Sequence, residues 1–529
     1  MSISDAFHIY DTTLRDGAQQ EGLNLSVHDK LTIARHLDDL GVGFIEGGWP
    51  GANPKDTEFF RLAQSELRLK NATFVAFGAT RRAGIKAADD AQLRALVDSG
   101  ASVITLVAKS HDRHVDLALK TTLDENLAMI RDSIQFLRSE GRRVFLDAEH
   151  FFDGYRSNSS YALEVVRTSA EAGADVVALC DTNGGMLPDE LSDVVHEVLG
   201  KSSARLGIHC HNDTGCAIAN SLAAVAAGVT HVQGTLNGYG ERTGNADLVS
   251  IIANLQLKKD QQVLPKGKLE EAFRISHAVA EVTNVAPSAR QPYVGISAFA
   301  HKAGLHASAI KVDPTLYQHE DPELVGNDMR MLVSDMAGRA SIELKSQELG
   351  IDLGKDKEVV ARVVERVKSM EARGYTFEAA DASFELLLRE EVAGKRPNFF
   401  SLESWETTVD QNVDGSVSSR ASVVIKARGE VIQATGSGNG PVNAIDTALR
   451  KGLERIYPEL SRLELTDYKV RILEGRLGTG AVTRVLVETS DGMGEWSTVG
   501  VHENVIAASA MALEDAVTYG LLRQGQLPE

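Results

Sequence analysis

Short apolar runs alternate with helical stretches over the first 260 residues. The runs fall at Phe7–Tyr10, Val42–Glu46, Thr73–Phe77, Ser102–Val107, Val144–Ala148, Asp175–Cys180, Arg205–Ile208 and His231–Thr235. Stretches of helical composition follow them, such as Val27–Leu40, Asp124–Arg138 and Ala217–Ala227. Eight β-then-α units in succession predict an α/β fold with a parallel sheet, and eight is the number that closes a (β/α)8 TIM barrel. After Leu257 the pattern changes. Residues 261–395 read as mostly helical linker subdomains, with loops around Asp313–Pro322. Residues 396–529 alternate again, now with several strands per helix. This last part looks duplicated: Ala434-Thr435-Gly436 and the helix Val442–Leu453 recur as Thr498-Val499-Gly500 and the helix Val505–Ala516. Gly436, Ala444, Ala448 and Leu449 match Gly500, Ala508, Ala512 and Leu513. The chain therefore divides into a barrel over 1–260, a linker region and a small α/β regulatory domain with internal pseudo-symmetry.

Composition narrows the partners. The 529 residues are 43% hydrophobic and 24% charged, ample for large cores, and carry a net charge of −19. That charge argues against nucleic acid and anionic membrane as partners. Met1–His8 has neither the basic stretch nor the apolar run of a signal peptide, and no run of about 18 apolar residues is present for a membrane span. The three cysteines, Cys180, Cys210 and Cys216, form no CxxC pair and no disulfide framework. A cytoplasmic protein fits all of this.

Chemistry in a parallel barrel gathers at the carboxyl ends of the strands. There the chain places Arg15 and Asp16, Glu149, Asp181 and Thr182, and His209 and His211. In His209-Cys210-His211 the two imidazoles share one side of a strand while Cys210 points away. Two histidines plus a carboxylate can hold a divalent ion with positions open for substrate; the bland alternative is polar contacts at a strand end. Asp16 could supply the carboxylate and Arg15 could neutralise an oxyanion, or the two could form an exposed salt bridge on a turn. The Gly-rich segment Asn237–Asn245 brings backbone close to something, a ligand or only itself, with Glu241 and Asn245 as polar candidates. Gly436–Pro441 lacks a Walker lysine and reads as a tight turn before a helix.

Leu14-Arg15-Asp16-Gly17-Ala18-Gln19, with Lys30 further on, resembles the first signature of the 2-isopropylmalate, homocitrate and citramalate synthases. Leu206–Ala219, which contains His209-Cys210-His211-Asn212-Asp213, resembles their second. Gly240-Glu241-Arg242-Thr243-Gly244-Asn245 and His301–His306 look like two further segments of that family, and Gly438–Val442 looks like its carboxyl-terminal regulatory domain. Within the family, Glu46–Lys55 and Asp147–Tyr155 resemble the citramalate synthase branch.

The resemblance implies an acyltransferase that condenses acetyl-CoA with pyruvate and water, giving (R)-citramalate and CoA on the way to isoleucine through 2-ketobutyrate. It places a divalent metal ion (Mn²⁺, Mg²⁺ or Zn²⁺) on Asp16, His209 and His211, with Asn245 completing or flanking the shell. Thr182 would hold the keto-acid carboxylate, Arg15 would stabilise the oxyanion, and Glu149 would orient substrate or relay a proton. His306 and Tyr317 resemble an acid–base pair that reaches a neighbouring subunit's site, which implies a homodimer. Phe77, Leu106 and Asp147 are expected in the pocket wall, and isoleucine is the expected effector. Three readings compete: a sister synthase using 2-ketoisovalerate or 2-ketoglutarate, a related barrel lyase or carboxyltransferase, and an amino-acid sensor without catalysis. Strands five to seven end without a lysine that could be carbamylated, which counts against a carboxyltransferase.

Overall fold

The computed structural model describes residues 3–353, 357–473 and 480–528. It resolves into two compact units, Met1–Phe299 with Glu320–Asp328, and Ala300–His319 with Met329–Glu529.

The first unit is a closed eight-stranded parallel barrel in chain order. Its strands are β1 (His8–Asp11), β2 (Phe44–Glu46), β3 (Thr73–Ala79), β4 (Val103–Lys109), β5 (Arg143–Glu149), β6 (Val176–Asp181), β7 (Leu206–Cys210) and β8 (His231–Gly234). β8 closes on β1 with His8 opposite His231 and Asp11 opposite Gly234. All eight fall on the apolar runs. Strand parity sorts the side chains into two layers. One parity faces the helices, as Ile9, Ile45, Ile104, Val177 and Ile208 do in the main core. The other faces the barrel axis, where Tyr10, Phe44, Val75, Val103, Phe145 and Val176 fill the interior.

Local chemistry sets the helix ends. In helix α1 (Val27–Leu40), Ser26 accepts from the Asp29 N–H, and the Asp29 side chain accepts from the Ser26 N–H. This reciprocal capping box satisfies two of the donors that a helix start leaves unpaired. The first unit also includes helix α2 (Ala272–Thr283), which packs against α1.

In the second unit, helices α3 (Arg339–Glu348), α4 (Lys357–Ala372) and α5 (Asp381–Ala393) share a small apolar core with Ile342, Val363 and Phe384. Two antiparallel three-stranded sheets follow. The first comprises β9 (Ser401–Gln411), β10 (Val417–Ala427) and β11 (Glu430–Gly438), and is followed by helix α6 (Pro441–Leu453). The second comprises β12 (Glu464–Ile472), β13 (Thr483–Ser490) and β14 (Glu495–His502), and is followed by helix α7 (Val505–Arg523). The duplication read from the sequence is thus a repeated βββα unit. Its matched glycines have one physical reason. A Cβ on Gly436 would lie 2.4 Å from the Ala444 carbonyl oxygen, and one on Gly500 would lie 1.9 Å from that of Ala508. Each helix can approach its sheet only where a side chain is missing. Among the described residues α7 alone is long and apolar enough to cross a membrane. It carries Glu514 and Asp515 and lies on β13 and β14 as a core helix.

In the barrel interior, His8 Nδ1 and His231 Nδ1 lie 3.0 Å apart in full burial, and neither Nε2 has a partner. Burial, then Arg205 and Arg143, lowers His8 to about 3. Burial, then His8 itself, holds His231 well below its ordinary value. A histidine in the unfolded chain takes a proton near pH ~6.5. Below that pH the unfolded chain binds protons that the folded barrel refuses. This stability is therefore complete above about pH 6.5 and is lost as pH falls towards about 3. The melting temperature should drop between pH 7 and pH 5. The double substitution His8→Leu/His231→Leu should flatten that drop in thermal unfolding, because it removes both titrating groups together. An undiminished drop would place the acid sensitivity elsewhere.

Candidate active site

The site begins where β1 ends. The N–H groups of Arg15, Asp16 and Gly17 all donate to the Thr12 carbonyl, at 3.2, 2.9 and 3.0 Å. This tight turn sets Arg15 and Asp16 at the barrel mouth. It is stapled to the segment after β8 by Asp11, whose buried side chain accepts from the Thr13 N–H at 2.8 Å and the Leu236 N–H at 3.2 Å. Burial pushes the Asp11 carboxyl up to about 7 despite those bonds.

Across the mouth, His209 and His211 project from the end of β7. Their Nε2 atoms lie 3.1 and 3.7 Å from Asp16 Oδ2. All three residues are buried, and one ligand atom from each falls within 4.8 Å of the others. Asn245 is paired to His211 through the backbone. Its Nδ2 donates to the Tyr239 carbonyl at 3.2 Å, while its Oδ1 is buried with no partner. An orphaned amide oxygen close in the chain fold to a carboxylate and two imidazoles suits a divalent cation. The Gly-rich loop closes on itself around this residue: a Cβ on Gly240 would lie 2.2 Å from Asn245 Nδ2.

Outer contacts orient the ligands. Gln233 Nε2 donates to Asp147 Oδ1 at 2.7 Å, which turns the amide oxygen towards His209. That oxygen only accepts, so His209 Nδ1, 2.9 Å away, carries the hydrogen and Nε2 is left to ligate. Burial opposes charge on Asp16, but Arg15 and the neighbouring His209 outweigh it and hold the carboxyl well below its usual range. Burial and then His209 lower His211 to about 4. Arg242 Nη2 sits 3.0 Å from His211 Nδ1 and also donates to the Thr182 carbonyl at 2.8 Å.

Arg15 donates through Nε to Glu46 Oε2 at 2.6 Å and places an Nη 3.5 Å from Asp16. Its guanidinium lies 3.9 Å from the centre of the Phe77 ring. Glu46 also takes hydrogen bonds from Tyr10 at 2.6 Å and Thr12 at 2.5 Å. At the end of β5, Glu149 pairs with Lys109 of β4. Both line a cavity of about 800 Å³, together with Trp49, Arg81, Arg82 and Gln92. The Thr182 hydroxyl oxygen accepts from the His150 N–H at 2.9 Å, which leaves its own hydrogen free to donate.

The structure thus groups Arg15, Asp16, Phe77, Asp147, His209 and His211 in one connected set. Asp147 is buried within the barrel, and burial, then Glu46, pushes it up to about 7. Leu106 is a correction: it lies in the core layer between strands and helices, because strand parity turns Thr105 and Val107 inward in its place. His306 and Tyr317 belong to the second unit, where their rings stack at 4.1 Å. Sequence reasoning missed Glu46 as a site residue, along with Gln233, Lys109 and Asp11. A usable signal existed: Asp11, Glu46 and Lys109 are the last residues of their strands and Gln233 is next to last in β8, the rim where barrel chemistry gathers.

A closed parallel barrel with a buried carboxylate and two histidines converging at its mouth has the layout of a barrel enzyme with a candidate metal site, and comparison with known proteins gives its family. The HMGL-like family model matches residues 6–279, and the chain belongs to that family, within its citramalate synthase branch. A homocitrate synthase post-HMGL domain-like model matches 293–375, and a LeuA allosteric (dimerisation) domain model matches 378–521. The chain is 68% identical to an (R)-citramalate synthase of Streptomyces coelicolor, over 99% of this chain and 98% of that one. It is 48% identical to an (R)-citramalate synthase of Synechocystis sp., over 97% and 96%. Identity to a 2-isopropylmalate synthase of Methanocaldococcus jannaschii is 32%, over 98% and 95%.

Metal removal tests the site. EDTA should abolish activity, and Mn²⁺ or Mg²⁺ should restore it. Titration calorimetry with Mn²⁺ should show binding lost in His211→Ala and weakened about 10–100-fold in Gln233→Leu. Wild-type affinity in Gln233→Leu would remove that residue from the orienting chain.

Proposed function

We propose that this protein condenses acetyl-CoA with pyruvate and water, releasing (R)-citramalate and CoA, as a first step towards isoleucine through 2-ketobutyrate. The observation that carries this reading is the convergence of Asp16, His209 and His211 in a chain that matches (R)-citramalate synthases over nearly its full length. Catalysis resides in the barrel, 1–260. Residues 261–395 link it to a regulatory and dimerisation domain, 396–529.

Asp16, His209 and His211, with Asn245 beside them, would hold a divalent ion, which supplies Lewis-acid polarisation of the keto carbonyl when bound. Thr182 donates its free hydroxyl hydrogen to the pyruvate carboxylate. Arg15, fixed by Glu46, faces the keto oxygen and stabilises the negative charge that grows there as the carbon–carbon bond forms. The acetyl methyl must lose a proton in that step, and Glu149 would orient the substrate or relay that proton. Phe77 and Asp147, on the inward faces of their strands, would contribute to the wall of the keto-acid pocket. His306 and Tyr317, stacked on one another, would complete acid–base chemistry in the site of a partner subunit. Water then cleaves the thioester, releasing CoA and the new carboxylate.

Control would rest on the second unit. A cavity of about 890 Å³ opens beside the start of α6, lined by Asn439, Pro441, Asp446, Arg450, Leu465 and Tyr468. Its mixed apolar and polar lining suits an amino acid such as isoleucine. The three cysteines are all free, which fits a cytoplasmic setting.

Assay of CoA release across a panel of 2-keto acids should give the highest kcat/KM with pyruvate. A methylene is worth about 10–200-fold in an apolar pocket, so 2-ketobutyrate should be turned over more slowly. A preference for 2-ketoisovalerate would instead make the protein a 2-isopropylmalate synthase. Millimolar isoleucine should inhibit the full chain and give heat in titration calorimetry. Truncation at Pro397 should remove that sensitivity. Undiminished activity without heat would leave the second unit as a dimerisation domain.

A further inference from the structure

We infer that Trp49 is a specificity-determining residue, the rigid back wall that stops the keto-acid pocket from accepting a longer alkyl chain. The inference rests on the pyruvate reading above.

Trp49 lies in the loop after β2, and its indole meets the Phe77 ring edge-on, with centroids 5.4 Å apart at 83°. Phe77 in turn carries the Arg15 guanidinium at 3.9 Å from its ring centre. Arg15 is beside Asp16, so whatever Arg15 neutralises borders Phe77. A bulkier keto acid needs Phe77 to move, and Trp49 stands where the ring would go.

The loop is built not to yield. The Trp49 N–H donates to Asp56 Oδ2 at 2.9 Å. Asp56 Oδ1 accepts from Lys30 Nζ at 2.5 Å, and the same ammonium donates to the Gly47 carbonyl at 3.1 Å. Lys30 and Asp56 are 4% and 6% exposed, so neither charge can leave its partner for water. The Phe77 N–H donates to the Gly48 carbonyl at 3.0 Å, which ties ring and loop into one piece of backbone. The indole Nε1 is buried without a hydrogen-bond partner, so Trp49 acts here by its shape. Trp49 also lines the 800 Å³ cavity. Cutting the indole back to a methyl would open the space behind Phe77 to that cavity.

The test compares kcat/KM for pyruvate, 2-ketobutyrate and 2-ketoisovalerate in the full chain, with acetyl-CoA and propionyl-CoA as acyl donors. Trp49→Ala should raise the 2-ketobutyrate-to-pyruvate ratio by about 10-fold or more, the low end of what one methylene is worth. Mn²⁺ affinity by calorimetry should stay within about 3-fold of wild type. Phe77→Leu shortens the wall from the inner side and should move the ratio the same way, which keeps the idea testable if Trp49→Ala folds poorly. Unchanged keto-acid ratios in both variants, or a change confined to acyl-donor length, would overturn the inference. Absence of pyruvate turnover in the wild-type protein would overturn the proposed function, and the inference with it. Turnover with an unmoved ratio would overturn the inference alone.

Discussion

The carboxylate of Glu46 has left water entirely and must find its solvation within the protein. Three side chains provide it: the Tyr10 hydroxyl from the barrel interior, the Thr12 hydroxyl from the turn after β1, and the Arg15 guanidinium at the mouth. Tyr10 is also within 2.7 Å of Thr105 on β4, so one buried charge ties β1, β2 and β4 together. Removing one partner of such a charge costs about 3–5 kcal/mol, because the other is left uncompensated. Arg15 depends on the same arrangement. Burial opposes its charge, and Glu46 with Asp16 more than restores it, so the guanidinium stays ionised beside Asp16.

From that anchor the mouth reads as a connected polar lattice over an apolar floor. Tyr10, Phe44 and Phe145 fill the axis below. Above them Asp147 turns Gln233, Gln233 turns His209, and His209 meets Asp16. Each contact fixes the orientation of the next, so His209 is held in one orientation by protein contacts alone. This is the preorganisation that a Lewis-acid site needs if binding energy is not to be spent on ordering side chains.

The second unit solves a different problem by repetition. Two βββα units share one core, with Val423, Ile425 and Leu449 from the first copy and Val485, Val487 and Leu513 from the second. Neither three-stranded sheet with a single helix is a large core, and pairing the copies buries an apolar face of each. The glycines at 436 and 500 persist in both because a helix backbone passes too close for any side chain.

The amino-acid sequence by itself determined the barrel, its strand order and the duplication. These follow from local periodicity and from the rule that consecutive βα units wind into a parallel sheet, and every predicted strand lies on an observed one. His209 and His211 were legible as a pair through strand parity, and Asp16 was joined to them by the resemblance to the synthase family; the structure brings all three together. Only the tertiary structure decided which polar residues serve them. Gln233 and Asp147 are 86 positions apart and Lys109 and Glu149 are 40 apart, and nothing near either member of a pair announces the other. Leu106 was misplaced for the converse reason: hydrophobicity marks a residue as buried but does not say on which side of a strand, and a register displaced by one residue exchanges pocket for helix layer. Glu46 shows the limit most plainly. A lone carboxylate in an apolar run is ambiguous until β2 pairs with β1, because that pairing brings Tyr10, Thr12 and Arg15, 31 to 36 positions away, to offset the cost of its burial.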